Sequence, residues 1–234
     1  MAHGESGITD WNRNAGKNIF FKNVPISTVC PIFGSSKHWA MAGRPKLYDE
    51  AEVIDKAINV FWDKCYDVAS SEELLGEMGI GKSSFYFSFK GGKQELYERT
   101  LKRFAEKLNG KMERGLEKAD DTIAYIKQYF ITGANASALQ KDRGCYYGNA
   151  MVQLSEKDKE LKVLATGILS DMQRLFTRAI RIAQDRGQIS GSQNAEVLGL
   201  HLINFWNGLN VTRRMERSPE KLLELIDLNF AVIK

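Results

Sequence analysis

The sequence is short of the residues that hold folds together by covalent or metal bonds. Its three cysteines (Cys30, Cys65 and Cys145) are scattered over 234 residues, too few for a disulfide framework or a four-ligand zinc site. That usage fits a reducing, cytoplasmic compartment. Histidine is as scarce: two of the three lie in the first 40 residues, leaving His201 alone. A lone imidazole is a poor metal centre, so neither metal nor cofactor is expected. Four prolines and 10% aromatic residues exclude a collagen-like or low-complexity chain. No apolar run approaches the roughly 20 residues that cross a bilayer, which excludes an integral membrane protein. The moderately apolar stretch 23–34 is broken by Pro25 and Pro31 and has no small-residue cleavage site, unlike a secretory signal. There is no G-x-S-x-G motif, histidine cluster or metal-ligand spacing, so no enzyme is expected.

Acidic charge is missing from the start of the chain. Residues 1–46 hold six Lys/Arg and two Asp/Glu, whereas 47–234 hold 27 of each. The whole net charge of +4 therefore sits in the first fifth. A basic arm of this kind hints at a polyanionic partner. Residues 1–42 lack periodicity and read as a disordered or non-native extension, with Met41-Ala42-Gly43 resembling a fresh start.

From Tyr48 onward the apolar period is helical. Val53, Ala57, Val60 and Phe61 share one face, with Ile54 and Ile58 beside them, behind an Asp49/Glu52 capping box. Ser70 and Glu73 form a second box before Leu74, Leu75 and Met78, and Gly79-Ile80-Gly81 breaks that helix. A third helix starts near Lys82 with Phe85 and Phe89 at i, i+4. A long one runs through Tyr97, Leu101, Phe104 and Leu108 and is expected to stop at Asn109-Gly110. Beyond it, Ile123, Ile126 and Phe130 mark a helix, and Ser155 with Asp158 caps another that Gly187 ends. Leu198, Leu202, Phe205 and Leu209 mark the next, and Ser218-Pro219 opens the last. No β-alternation interrupts them. The expectation is an all-α chain of about nine helices.

Residues 49–90 thus give a long helix, a short one, a tight glycine turn and another short helix. That is a helix-turn-helix, whose second short helix enters the DNA major groove. Phe85 and Phe89 supply its inner face. Lys82, Ser83, Ser84, Tyr86 and Ser88 supply the outer one. Lys82, Lys90 and Lys93 are basic, and residues 78–93 contain no Asp or Glu. Arg44 and Lys46 precede the first helix and are placed to add phosphate or minor-groove contacts.

With Gly43-Arg44-Pro45, Val60-Phe61-Trp62, Met78-Gly79-Ile80, Ser84 to Phe89 and Lys93, the chain resembles the tetracycline-repressor (TetR) family over residues 43–234. Arg143-Gly144-Cys145, followed by Asn149, resembles a segment of the ligand domain in one subgroup. The resemblance implies a DNA-binding domain at 43–95 and a helical effector-binding and dimerisation domain at 96–234. It implies a homodimer on a palindromic double-stranded operator, released by a small-molecule effector. It also implies that Lys82, Ser83 and Tyr86 face bases or phosphates, and that Ser70 and Lys93 anchor phosphates. Four positions depart from the family pattern. Cys65 stands where a helix-ending glycine is usual, and Ala69 replaces a threonine. Ser71 replaces a buried aliphatic, and Gly81 removes a side-chain cap. The loop at Lys90-Gly91-Gly92 is one residue longer than the commonest form.

Three further readings are weighed. Gly76 to Ser83 fits G-x-x-x-x-G-K-[ST], the nucleotide-binding alternative, but a capped helix start precedes it where a strand is required. Cys145, near Lys141 and Arg143, is a candidate redox or electrophile sensor if its pKa is lowered. Tyr125, Tyr129, Tyr146, Asn149, Met172, Phe176, His201 and Phe205 are candidates for an effector pocket, against plain core packing. Leu198, Leu202, Leu209, Leu222, Ile226 and Phe230 are candidates for a four-helix dimer interface, against closing the core of one chain.

Overall fold

The computed structural model describes residues 48–154 and 158–234. Arg44, Lys46, Cys30 and Ser155 lie outside them. The described residues are helical, with no strand among them: α1 Glu50–Val68, α2 Ser71–Met78, α3 Lys82–Ser88, α4 Gly92–Lys118, α5 Thr122–Ala134, α6 Ala138–Arg143, α7 Tyr146–Gln153, α8 Lys159–Asp185, α9 Ala195–Met215 and α10 Pro219–Phe230. The all-α reading holds.

Helix starts follow the side-chain chemistry. Ser70 and Glu73 close a full capping box on α2, satisfying two orphan amides reciprocally. At α1 only half the expected box forms: Asp49 accepts from Ala51 N at 2.8 Å, while Glu52 pairs with Lys56 instead. Asp121, Asn194 and Ser218 cap α5, α9 and α10. Gly81 leaves α3 without a side-chain cap. The sharp turn from α2 to α3 depends on Gly79, at φ 68°, ψ 27°, whose amide bonds back to Leu75 and Gly76.

The long α4 passes Asn109-Gly110 without stopping, contrary to expectation. Met112 and Leu116, i and i+4 beyond the glycine, are 2% and 1% exposed. Burial of that stripe outweighs the roughly 1 kcal/mol propensity cost of an interior glycine. The helix therefore serves two neighbourhoods. Its first half packs on α1 through Leu96, Tyr97 and Leu101, and Asp55 of α1 receives both Arg103 (2.6–2.7 Å) and Lys107 (2.7 Å). Its second half lies against α8 and α5. The antiparallel α8 and α9 form the broadest helix pair, and Phe130, Phe176, Phe205 and Phe230 meet between α5, α8, α9 and α10.

Cys65 adopts φ 69°, ψ 162° near the end of α1 and is the one non-glycine residue with positive φ among the described residues. That backbone region is essentially reserved for glycine and costs a side chain about 1–3 kcal/mol. The strain anticipated from the family's usual glycine is present. Cys65→Gly therefore stabilises the fold by about 1 kcal/mol after glycine's extra unfolded-state entropy is subtracted. Cys65→Ala, which keeps the Cβ, gives no such gain. Urea unfolding of the two variants beside the parent checks this.

Candidate nucleic-acid interface and ligand cavity

The α3 helix has two unlike sides. Phe85 and Phe89 are 1% and 0% exposed and hold it to the fold. Tyr48 Oη shares a hydrogen bond with Ser88 Oγ at 2.6 Å and donates to Ser84 O at 3.2 Å, pinning the start of α1 to the end of α3. Lys82, Ser83, Ser84, Tyr86, Phe87 and Lys90 are exposed. Tyr86 rests its edge on Phe85, ring centroids 5.2 Å apart. Phe87 is 68% exposed, an apolar ring directed into solvent from a cationic surface.

Two expected phosphate anchors are otherwise engaged. Ser70 Oγ donates to Glu73 Oε2 at 3.0 Å within the capping box. Glu73 is held at about 2 by hydrogen bonds from Lys64 and then Ser70. Lys93 Nζ donates to Asp67 O at 3.3 Å and sits 5.0 Å from the Tyr66 ring centroid. Desolvation there lowers its pKa. This lysine ties the start of α4 to the end of α1.

Further along the chain, α1, α4, α5, α7, α8 and α9 enclose a cavity of about 460 Å³. Seven of its lining residues are aromatic: Trp62, Phe104, Tyr125, Tyr129, Tyr146, Tyr147 and Trp206. Three polar residues of the wall are buried yet incompletely paired: Tyr147 Oη, Asn210 Oδ1 and Arg213 Nε have no hydrogen-bond partner. The other nitrogens of Arg213 donate to backbone carbonyls of Gly133 (2.9 Å), Gln140 and Gly144 (both 3.2 Å). Burial lowers its pKa.

One wall of the cavity is bolted to α1. The Arg143 guanidinium donates to both carboxylate oxygens of Asp63 (2.6 and 2.7 Å) and to Asn59 Oδ1 (3.1 Å). Its carbonyl accepts from Trp62 Nε1 (3.2 Å), Asn149 Nδ2 (2.8 Å) and Arg214 (2.8 Å). Gly144 follows at φ 67°, ψ −146°, where a Cβ would lie 2.4 Å from the Arg214 guanidinium. Only glycine satisfies both the backbone and the space.

Residues 121–227 match the family described as tetracyclin repressor-like, C-terminal domain. An uncharacterised helix-turn-helix-type transcriptional regulator of Bacillus subtilis, YezE, is 25% identical over 193 residues, covering 82% of this chain and 99% of that protein. The Escherichia coli transcriptional repressor ComR is 24% identical, covering 78% and 88%. The TetR-family regulator CifR, solved with a 26-base-pair double-strand operator DNA, superposes with a TM-score of 0.73 at 21% identity, covering 82% of this chain and all of that one. The chain shares the fold of TetR-family regulators, and its C-terminal part matches the C-terminal domain of that family.

Within this fold the sequence-derived sites divide. Tyr125, Tyr129, Tyr146 and Met172 line the cavity. Phe176 and Phe205 do not: both rings stack into the core against Phe130, at 5.7 and 5.1 Å. His201 also stands away, its Nε2 3.1 Å from Asn229 O on α10. Asn149 serves the Arg143 carbonyl and Arg214 instead. The six leucine, isoleucine and phenylalanine positions named for a dimer interface are 0–6% exposed within the single chain. They close its own core, so a second copy would meet other residues. The nucleotide-binding alternative falls as well, since Gly76 lies inside α2 and no strand precedes it among the described residues.

Cys145 is corrected in its chemistry. Arg143 is committed to α1, and Cys145 instead caps α7, its Sγ 3.4 Å from Gly148 N. Desolvation raises the thiol's pKa rather than lowering it. The residues whose roles sequence reading passed over are Phe87, Asn210 and Arg213. The available signal was an Asn and an Arg at i, i+3 on an otherwise apolar helix. At pH 8, native Cys145 is expected to react with iodoacetamide at least about tenfold more slowly than in urea-unfolded chain, since thiolate is the nucleophile. Peptide mass spectrometry over time measures it, and equal rates contradict the assignment.

Proposed function

We propose that this chain is a one-component transcriptional repressor that grips duplex DNA with α3 and lets go when a small molecule fills the cavity. The observation that carries the reading is the polarity of α3, which buries two phenylalanines and turns Lys82, Ser83, Tyr86 and Phe87 outward. A helix so mounted is suited to the major groove, with Lys82 and Tyr86 on phosphates and Phe87 against a thymine methyl. Arg44 and Lys46 are proposed to extend the contact to the backbone or minor groove. Ser70 and Lys93 would support the DNA face through their bonds to α1 and α2.

As a homodimer the protein would present two such helices about 34–36 Å apart, matching a pseudopalindrome. The surface for pairing is proposed on α9 and α10, where Val197, Leu200, Val211, Met215 and Leu228 are 55–80% exposed. A ligand in the cavity would act through Trp62 and the Arg143 bond to Asp63, which lie between it and α1. Such a ligand shifts the equilibrium only by its preference for the form that binds DNA less well. The reading makes the protein a regulator rather than a catalyst and places it in the cytoplasm. Among the described residues no helix is long and apolar enough to cross a membrane.

Fluorescence anisotropy on duplexes from the chain's own upstream region tests this. Lys82→Ala is expected to weaken binding across sequences and to reduce the salt slope by about 1. Phe87→Ala should cost about 1–3 kcal/mol at the preferred site and relax preference at one A·T pair. Binding that is indifferent to both substitutions and to salt overturns the reading.

A further inference from the structure

The cavity's unpaired atoms carry chemical information about its ligand. Its wall holds seven aromatic rings, and no Asp or Glu is among the described residues lining it. Into this wall is set Arg213, 6% exposed, whose hydrogen-bond partners are all backbone carbonyls and whose Nε is unpaired. Tyr147, 1% exposed, carries an unpaired hydroxyl. Both are donors. A buried cation with no facing anion and a buried hydroxyl with no acceptor are each costly, and a ligand supplying acceptor oxygens removes both costs at once.

Resting on the reading above, we propose that the effector is an aromatic organic acid whose carboxylate meets Arg213 Nε and Tyr147 Oη while its ring lies among Trp62, Tyr129 and Trp206. The third unpaired atom, Asn210 Oδ1, is an acceptor, because Nδ2 of that amide is already given to Trp206 O at 2.8 Å. A hydroxyl or amine elsewhere on the same ligand satisfies it. The volume of about 460 Å³ lies in the lower part of the range for small-molecule sites. It admits one to three rings and excludes a bulky polycyclic.

The experiment compares matched charged and neutral probes on the full chain: benzoate, 2-naphthoate and biphenyl-4-carboxylate, each beside its primary amide. Binding is read by calorimetry and by quenching of tryptophan fluorescence, since Trp62 and Trp206 line the cavity. At least one acid is expected to bind about tenfold or more tightly than its amide, the difference a charge-assisted bond supplies. Tyr147→Phe is expected to weaken that acid about fivefold, as loss of one buried hydrogen bond does. Arg213→Gln is expected to abolish the acid's advantage. Where that variant fails to fold, Tyr147→Phe carries the test alone, because it removes only an unpaired oxygen.

Acid and amide binding equally, or acid binding untouched by Tyr147→Phe, overturns the inference while leaving the cavity as an effector site. No acid binding at all overturns it too. The DNA reading of α3 is judged separately by the duplex titrations, which involve no ligand.

Discussion

Which side of α3 looks outward is decided by two phenylalanines. Phe85 and Phe89 are almost completely buried, and burying a phenylalanine is worth about 1.5–3 kcal/mol each. Rotating the helix to hide its serines instead would forfeit both. With that face fixed, the helical period alone sends Lys82, Ser83, Tyr86 and Phe87 to the surface. The turn at Gly79 and the hydrogen bond between Tyr48 and Ser88 then set the angle at which the helix stands. None of these restraints touches DNA, yet together they determine what DNA would meet.

The other half of the function depends on what α1 is attached to. That helix packs on α2 and on α4, and its Trp62 and Asp63 also reach the segment at Arg143. Arg143 is a hub in both of its polar parts: its carbonyl accepts three donors, and its guanidinium holds two α1 side chains. The adjacent Gly144 belongs to the cavity wall. Under the proposed function, a ligand that displaced this wall would press on α1 through rigid, hydrogen-bonded geometry. Packed interiors transmit such displacements because they have few voids to absorb them.

Much of this was legible in the residues, and the failures share a cause. The α2 capping box, the glycine turn and the two faces of α3 are local devices, encoded within a few positions, and they stand where the spacing put them, except that Ser88, expected on the outer face, is buried against Tyr48. Cys65 was readable only through the resemblance, which puts a helix-ending glycine at that position. What local reading missed was set by distant partners. Residues Asn109 and Gly110 look like a stop, but Met112 and Leu116 find buried places and α4 continues. Short α6 and α7 carry no apolar stripe long enough to register. Phe176 and Phe205 resemble pocket residues in type, and only packing against Phe130 separates them from Tyr129. Leu202 and Ile226 could equally serve one chain's core or a second copy; burial within the single chain decides it. Arg213 drew no notice because a charge on an apolar helix ordinarily marks its wet side.

The central claim is that the outer face of α3 is what meets duplex DNA. Hydrogen exchange followed by mass spectrometry tests it without altering a residue. The chain is labelled alone and with a duplex from its own upstream region, at a salt concentration where the two are bound. The account predicts new protection concentrated in residues 82–91 and at the start of α2, and fading when salt is raised. Protection confined to α8, α9 or α10, or none anywhere on a duplex that is demonstrably bound, would contradict it.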